Sequence, residues 1–481
     1  MRDDTTSTSD RIRVIVTTDP ELDDLNSMLR LVLYSNEIEL AGLVYSSSKH
    51  HYAGDAERGV EPYRWSPEGA RGHINQALDA YEQVHPNLLI HDPRYPDPAY
   101  LRSLVRVGNV ADVGDTHRPS PGSDLIAQVL LDDEPGTVVL QAWGGFNTIA
   151  RALMTIEEQH ADRPEWEAIY ARVTARTVLT SWGEQDDTFA SYIRPHWPGL
   201  ELRQVATMVW GYGARIVTPV DLHHYFSSEW TRSHVSRVGP VGAAYRVWGD
   251  GLQMAAGFDS EDYFGLQELS NEELRARGYK VFVPVQESGA WISEGDTSNF
   301  ALHIDNGLRN WEHPENGGWG GRQVRDPEDH HRWNSVGFEG LDLSKPPTDW
   351  GDVARWVPDF QRDFAGRLQW SVSNAYSAAN HHPRLEVSTG LDMTARPGEA
   401  VTVAWSVWDP DGDTVSVTFW QYREAGSCPS EASIERTSAD AVTVTVPDGA
   451  VAGETIHVII EATDNGEPPL TAYARTILMV M

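Results

Sequence analysis

Sulfur and basic nitrogen are both scarce in this chain of 481 residues. Cys428 is its one cysteine, so no intrachain disulfide can form and no thiolate metal site is available. Lysine occurs only at Lys49, Lys280 and Lys345, leaving arginine to carry nearly all the positive charge. Acidic residues outnumber basic ones by 71 to 38, and the formal charge of −33 repels nucleic acid and anionic membrane surfaces. No apolar run approaches the roughly 18 residues of a membrane-spanning helix. Met1 to Asp10 is polar and lacks the basic head and apolar stretch of a secretory leader, so the chain as encoded is expected to stay in the cytoplasm.

What is present is a regular alternation. Short apolar strands at Arg13–Thr18, Leu40–Tyr45, Val138–Trp143 and Arg176–Ser181 are interleaved with helical patterns at Asp23–Tyr34, His73–His85, Asp124–Leu131 and Thr148–Thr155. That rhythm predicts an α/β fold with a mostly parallel sheet and right-handed crossovers. Asp221 to Gly278, rich in Tyr, Trp, His and Gly, reads as an ordered insertion or lid, and Asn310 to Trp350 as loop. The pattern changes around Ser371–Pro383. From Leu385 onward strand patterns alone remain, at Val401–Trp405, Val415–Trp420, Ala441–Val446 and Thr455–Ala462, predicting an antiparallel sandwich of immunoglobulin or cadherin type. The expected division is 11–376 for the α/β part and 383–481 for the sandwich, in keeping with the chain length.

The densest chemistry lies where the first strand ends. Val14-Ile15-Val16-Thr17-Thr18 runs into Asp19-Pro20-Glu21-Leu22-Asp23-Asp24, and a helix with Leu25, Met28, Leu29, Val32 and Leu33 on one stripe follows. Asp23 and Asp24 can complement a helix N-terminus, worth about 0.3–1 kcal/mol. Carboxylates crowded at a strand end also repel one another, and a hard divalent cation relieves that repulsion.

The segment resembles the N-terminal signature of the inosine-uridine nucleoside hydrolases, Asp-x-Asp-Pro-Gly-x-Asp-Asp. The resemblance implies a Ca²⁺ site at Asp19, Asp23 and Asp24, with Asp19 as general base; Thr17 and Glu21 stand where the pattern has Asp and Gly. Trp143-Gly144-Gly145-Phe146-Asn147-Thr148-Ile149-Ala150 is similar to the second motif of that family, which implies a backbone carbonyl ligand from Trp143. A last ligand comes in the family from far down the chain, and Trp291-Ile292-Ser293-Glu294-Gly295-Asp296-Thr297 is the comparable stretch. Asp296 is then a ligand, a helix cap, or both. Asn147, Gln185, Asp187 and Glu294 are the candidates for holding sugar hydroxyls, and Glu294, His50 or His51 for protonating a leaving group. The family's Asn-Ala-Glu-Phe-Asn segment has no counterpart; Ser181 to Thr188 stands in its place.

Leu33-Tyr34-Ser35-Asn36-Glu37 and the pairing with a sandwich resemble a nucleoside-hydrolase-like family of bacterial proteins often labelled cellulose-binding. The implied reading is a Ca²⁺-dependent glycoside hydrolase acting on a furanosyl or related sugar, the alternative being a non-catalytic carbohydrate-binding protein on the same fold. A carbohydrate or glycoside is the expected partner, with no nucleic acid and no membrane; a homo-oligomer is compatible with the composition, and the relatives implied are secreted. Asp409-Pro410-Asp411-Gly412-Asp413 resembles the turn of polycystic-kidney-like modules and, lacking the glycine spacing of an EF-hand, reads as a plain turn.

Overall fold

A computed structural model describes residues 12–65, 72–337 and 351–481. The polar N-terminus, Arg11 and the end of the loop-like stretch before Trp350 lie outside the described residues. Eight strands form the larger sheet: β1 (Arg13–Thr18), β2 (Glu39–Tyr45), β3 (Val105–Val107), β4 (Val138–Ala142), β5 (Thr177–Ser181), β6 (Glu201–Gln204), β7 (Gln323–Arg325) and β8 (Arg332–Ser335). Their order is β3-β2-β1-β4-β5-β6-β8-β7, parallel throughout except for the β7–β8 pair. The order reverses between β1 and β4, so the crevice beyond the carboxyl ends of those two strands is where such sheets bind ligands.

β1 is buried along Val14–Thr18, and the helix Leu22–Leu33 after it is buried on every side. Its apolar residues meet the sheet, while the buried Asn26 donates to the carbonyls of Arg246 and Ser293 at 3.1 Å each and accepts from the Arg246 N–H at 2.8 Å. Later chain therefore covers the helix. That chain is the aromatic insertion and the segment just after it: Trp248, Tyr263, Phe264 and Leu274 of the insertion, with Val283 beyond it, form a buried cluster with Leu22. The helix expected to stop at His85 runs from His73 to His91 with Pro86 inside it, its buried face continuing to Leu88. Helix Pro121–Leu131 starts earlier than the apolar pattern suggested, because Ser120 and Ser123 form a reciprocal cap. The stretch read as loop after Asn310 contains the β7–β8 hairpin. Among the described residues no helix is long and apolar enough to cross a membrane.

The C-terminal part comprises β9 (Arg384–Val387), β10 (Asp392–Ala395), β11 (Ala400–Trp408), β12 (Ser416–Gln421), β13 (Ser433–Ser438), β14 (Ala441–Thr445), β15 (Thr455–Thr463) and β16 (Thr471–Val480). Two four-stranded sheets, β10-β16-β15-β12 and β13-β14-β11-β9, enclose a core from Val403, Trp405, Val442, Val444, Ile456, Val458, Ile460 and Leu478. Pairing is antiparallel except between β10 and β16. Side chains alternate across a strand, so Ile459 faces away from its neighbours Val458 and Ile460. It joins Tyr422, Tyr473, Trp319 and Trp356 in the core of the α/β part. The seam also carries backbone bonds, from the Tyr473 N–H to Asn306 at 3.0 Å and from the Arg475 N–H to Gly307 at 3.1 Å. Gly307 has φ +87°, and a Cβ there would lie 1.8 Å from the Tyr473 carbonyl oxygen, so glycine is what lets the two parts touch.

Candidate metal centre

At the end of β1 the chain turns at Pro20, with the Glu21 N–H donating to the Asp19 carbonyl at 2.9 Å, and enters the first helix. Glu21 occupies the N-cap position without a side-chain cap bond, and Asp23 and Asp24 are likewise turned to other partners. The Thr18 hydroxyl donates to Asp24 and lies 2.8 Å from His73 Nε2. Ser293 donates to Asp23 at 3.1 Å. Tyr212 reaches both Asp23 and Glu21 at 3.3 Å. Asp296 occupies the N-cap of helix Thr297–Ala301 but makes no cap bond, and its Oδ1 is buried without a partner. Position alone suggests capping, yet neither Glu21 nor Asp296 makes a side-chain cap bond.

These carboxyl groups are packed closely. Ligand atoms of Glu21, Asp23 and Asp24 lie within 4.8 Å of one another, as do those of Asp19, Glu21 and His51. Glu21 belongs to both sets. Asp19 is 0 % exposed and Asp296 4 %. Both oxygens of Asp19 and Oδ1 of Asp296 are buried without a hydrogen-bond donor. Burial, then Glu21, pushes the Asp23 carboxyl well above the usual range; burial, then Asp296, does the same to Asp24, and burial, then Asp23 and Asp19, to Asp296. Burial pushes Asp19 up too, but His51, Ser48 and His50 outweigh it and hold the group below its ordinary value. His51 Nδ1 lies 3.4 Å from Asp19 and 3.8 Å from Glu21. Buried acceptors without donors, among repelling carboxyl groups, are the surroundings a divalent cation stabilises.

A second strand end completes the wall. The Trp143 N–H donates to Thr17 at 2.8 Å and the Gly145 N–H to Ser47 at 2.9 Å, joining the ends of β4, β1 and β2. A Cβ on Gly144 would sit 3.1 Å from the Asp19 carboxyl carbon, and one on Gly145 would fall 2.2 Å from Asp186 Oδ2. Asp186 accepts from the Asn147 N–H at 3.0 Å. Asn147 itself is buried, donating to Ser47 at 2.9 Å and the Asn109 carbonyl at 2.7 Å and accepting from Ser46 at 2.9 Å. Its side chain is spent on the turn. The Trp143 carbonyl accepts from Gln185 Nε2 at 2.8 Å, which leaves Gln185 Oε1 buried and without a donor.

The remaining candidates stand apart. Asp187 is exposed, while its neighbour Asp186 is buried. Glu294 is 0 % exposed and faces Arg30, which donates to it twice; Tyr245 donates as well, and Trp291 and Thr297 add bonds at 3.3 and 3.1 Å. Thr17, at the position of the missing carboxylate, donates within the sheet to the Gln141 carbonyl at 3.2 Å. The sequence does not single out Tyr212, Thr18, His73 or Ser293: Tyr, Thr and Ser carry little metal signal, and His73 is a lone histidine at a helix start far from the motif in sequence. Glu21 was legible as part of the motif but read as a departure.

Residues 13–323 match the family described as cellulose-binding Sde182, nucleoside hydrolase-like domain. The chain belongs to this family. Residues 400–480 match the C-terminal domain described for the cellulose-binding protein Sde0182, so both architectures of the Sde182 family are represented. A solved nucleoside hydrolase-related hypothetical protein from Saccharophagus degradans, described as associated with carbohydrate metabolism, is 24 % identical with a TM-score of 0.71, covering 98 % of this chain and 100 % of its own. That likeness shows the shared fold over nearly the full length. A plant nucleoside hydrolase, at 12 % identity and TM-score 0.33, covers 74 % of this chain and 98 % of its own, too distant to add to the argument. No curated protein matches the chain.

Proposed function

We propose that the cluster binds one Ca²⁺ and that the protein hydrolyses a glycosyl bond of a carbohydrate, with Asp19 as general base. One observation carries the reading: neither oxygen of the buried Asp19 is satisfied by a well-formed hydrogen bond, His51 approaching only to 3.4 Å, while the carboxylates of Glu21, Asp23 and Asp24 crowd beside it. The all-oxygen donor set of Asp19, Glu21, Asp23, Asp24, Asp296 and the Trp143 carbonyl suits a hard cation. Such an ion, when bound, supplies positive charge that lowers the pKa of water and polarises hydroxyl oxygens. Asp19 accepts the proton of the water that attacks the anomeric carbon, and attack from the face opposite the leaving group gives inversion. Glu294 is too fully engaged by Arg30 to protonate the leaving group, and inversion requires that proton to come from the face of the sugar opposite Asp19. Gln185 Oε1 accepts from a sugar hydroxyl, and Asn147 serves the substrate indirectly by shaping the turn. Exposed Asp187 contributes at the rim.

A second reading, a carbohydrate-binding protein without turnover, is favoured by the complete burial of Asp19 and by the engagement of Glu294. One experiment separates the two. Furanosides, nucleosides and plant or microbial glycans are screened for reducing-sugar release with Ca²⁺ and with chelator. Wild type is expected to release product only with Ca²⁺, and Asp19→Asn to lose on the order of 10²–10⁴-fold in rate. Calcium content is measured on the same samples. Glycan binding without product from any substrate would replace the hydrolase with the binding reading.

A further inference from the structure

A second set of unsatisfied oxygens lies where the α/β part hands over to the sandwich. Asn380 Oδ1, Asp409 Oδ2 and Asp464 Oδ2 are each buried and without a donor. They come from the segment before β9, the β11–β12 turn and the β15–β16 turn. Asp464 is 4 % exposed and Asn380 7 %. In each side chain the partner atom is fully used. Asp464 Oδ1 accepts from Asn380 Nδ2 at 2.9 Å, the Gly466 N–H at 2.9 Å and the Leu470 N–H at 3.0 Å. Asn380 Nδ2 also donates to the Pro468 carbonyl at 2.9 Å. Asp409 Oδ1 accepts from the N–H groups of Asp411 at 2.8 Å and Asp413 at 3.0 Å. The bonds on one side of each group fix its orientation and leave the other oxygen for something else.

The three segments are held together. Besides the Asn380–Asp464 bond, the Thr414 N–H donates to Asn465 at 2.7 Å, joining the two turns. Burial and, further down, the charge of Asp409 push the Asp464 carboxyl up, so the two acids feel each other. Among the described residues no arginine, lysine or histidine pairs with Asp409 or Asp464. Asp411 is occupied separately, accepting from the His381 N–H at 2.8 Å and lying 3.0 Å from His381 Nδ1.

We propose that Asn380, Asp409 and Asp464 form a Ca²⁺ site that fastens the segment before β9 to two turns of the sandwich. Two carboxylates and one neutral amide oxygen, with water completing the shell, suit Ca²⁺ better than Mg²⁺, which demands stricter geometry. Zinc is disfavoured because no nitrogen or sulfur ligand is free: His381 faces Asp411 through Nδ1 and His91 through Nε2 at 3.0 Å. With so few charged ligands the dissociation constant belongs on the order of 10⁻⁴–10⁻³ M. The site is independent of the cluster at the end of β1.

The test is calorimetric titration of the full-length chain, stripped of metal, with CaCl₂. Wild type, Asp24→Ala, Asp409→Asn and Asp464→Asn are compared, and circular dichroism checks folding. The expected result is a weak binding event kept in Asp24→Ala and weakened at least tenfold in both Asn variants. Asp409 is only half-buried, so Asp409→Asn keeps the test open if Asp464→Asn does not fold. A second readout is proteolysis of residues 373–383, which Ca²⁺ slows in wild type and leaves unchanged in Asp409→Asn. Unaltered weak binding in Asp409→Asn, or no weak binding in wild type, overturns the proposal. Loss of the tight event alone counts against the cluster at β1 and leaves this site standing.

Discussion

Arg30 determines what Glu294 can do. The guanidinium and carboxylate are 1 % and 0 % exposed, and a buried charge whose partner is removed is left uncompensated. Arg30→Met is therefore expected to destabilise the protein by about 3–5 kcal/mol, read from the midpoint of urea unfolding; a change within the error of wild type would show that the pair does not hold the fold together. His457 gives a pH dependence. Burial, then Arg475, lowers its pKa from 6.5 to about 3, and Arg475 Nη1 faces its Nδ1 at 3.1 Å, which requires a neutral ring. The unfolded chain protonates this histidine near its ordinary value, so its contribution is complete above about pH 6.5 and is lost as pH falls toward about 3. Replacing His457 with Gln should flatten the stability profile between pH 6.5 and 4, measured by thermal unfolding at several pH values. The same scale shows how much of the site was legible. Asp19, Asp23 and Asp24 are adjacent in sequence and visible as a motif. Glu21 looked like a lost glycine, yet it brings a carboxylate to the cluster while Thr17 gives its hydroxyl to the sheet. Pairings such as Arg30 with Glu294 span far too much chain for local pattern to reveal.

At the scale of elements, the first four strands expected from alternation all form, within a residue of their expected bounds. Buried parallel strands read as apolar runs, and their ends are set by the turns that follow. β3, β6, β7 and β8 escaped because they are only three or four residues long and carry mixed side chains, too few positions for a strand period to register. The turn after β4 is legible in its glycines but not in the reason for them. Gly145 lies against Asp186 and the Ser47 carbonyl, contacts at 2.2 and 2.7 Å for any added Cβ. Gly145→Ala must displace Asp186 from the Asn147 N–H. It is expected to destabilise the fold by roughly 1–3 kcal/mol, the usual penalty for overpacking. A loss of calcium affinity should accompany it, and both are read by thermal unfolding with and without Ca²⁺. An alanine variant with wild-type stability would mean the loop yields freely.

Over the whole molecule, the change of pattern near residue 380 separates two architectures, and we propose that it does not separate two stabilities. Ile459, Tyr422 and Tyr473 complete a core that includes Trp319 and Trp356. Thr471 and Tyr473 both donate to Asp359. A chain ended at Ser373 would expose those tryptophans and leave Asp359 without these donors. It is expected to aggregate or to melt without a cooperative transition, judged by size-exclusion chromatography and calorimetry; a monomeric fragment melting as sharply as the full chain would show that the parts fold separately. None of this seam was legible beforehand, because the alternation of β15 looks the same whether its second face meets water or another core.

That seam also orders events in time. Synthesis proceeds from the N-terminus, so Trp319 and Trp356 leave the ribosome before the Tyr422 and Tyr473 that cover them have been made. At roughly 5–20 residues per second, the gap between Trp356 and Tyr473 lasts on the order of ten seconds. During that interval the nascent α/β part carries an uncovered aromatic face, open to chaperones and to neighbouring nascent chains. Expression of this protein should therefore respond to translation speed and chaperone supply more strongly than the stability of the finished molecule would suggest.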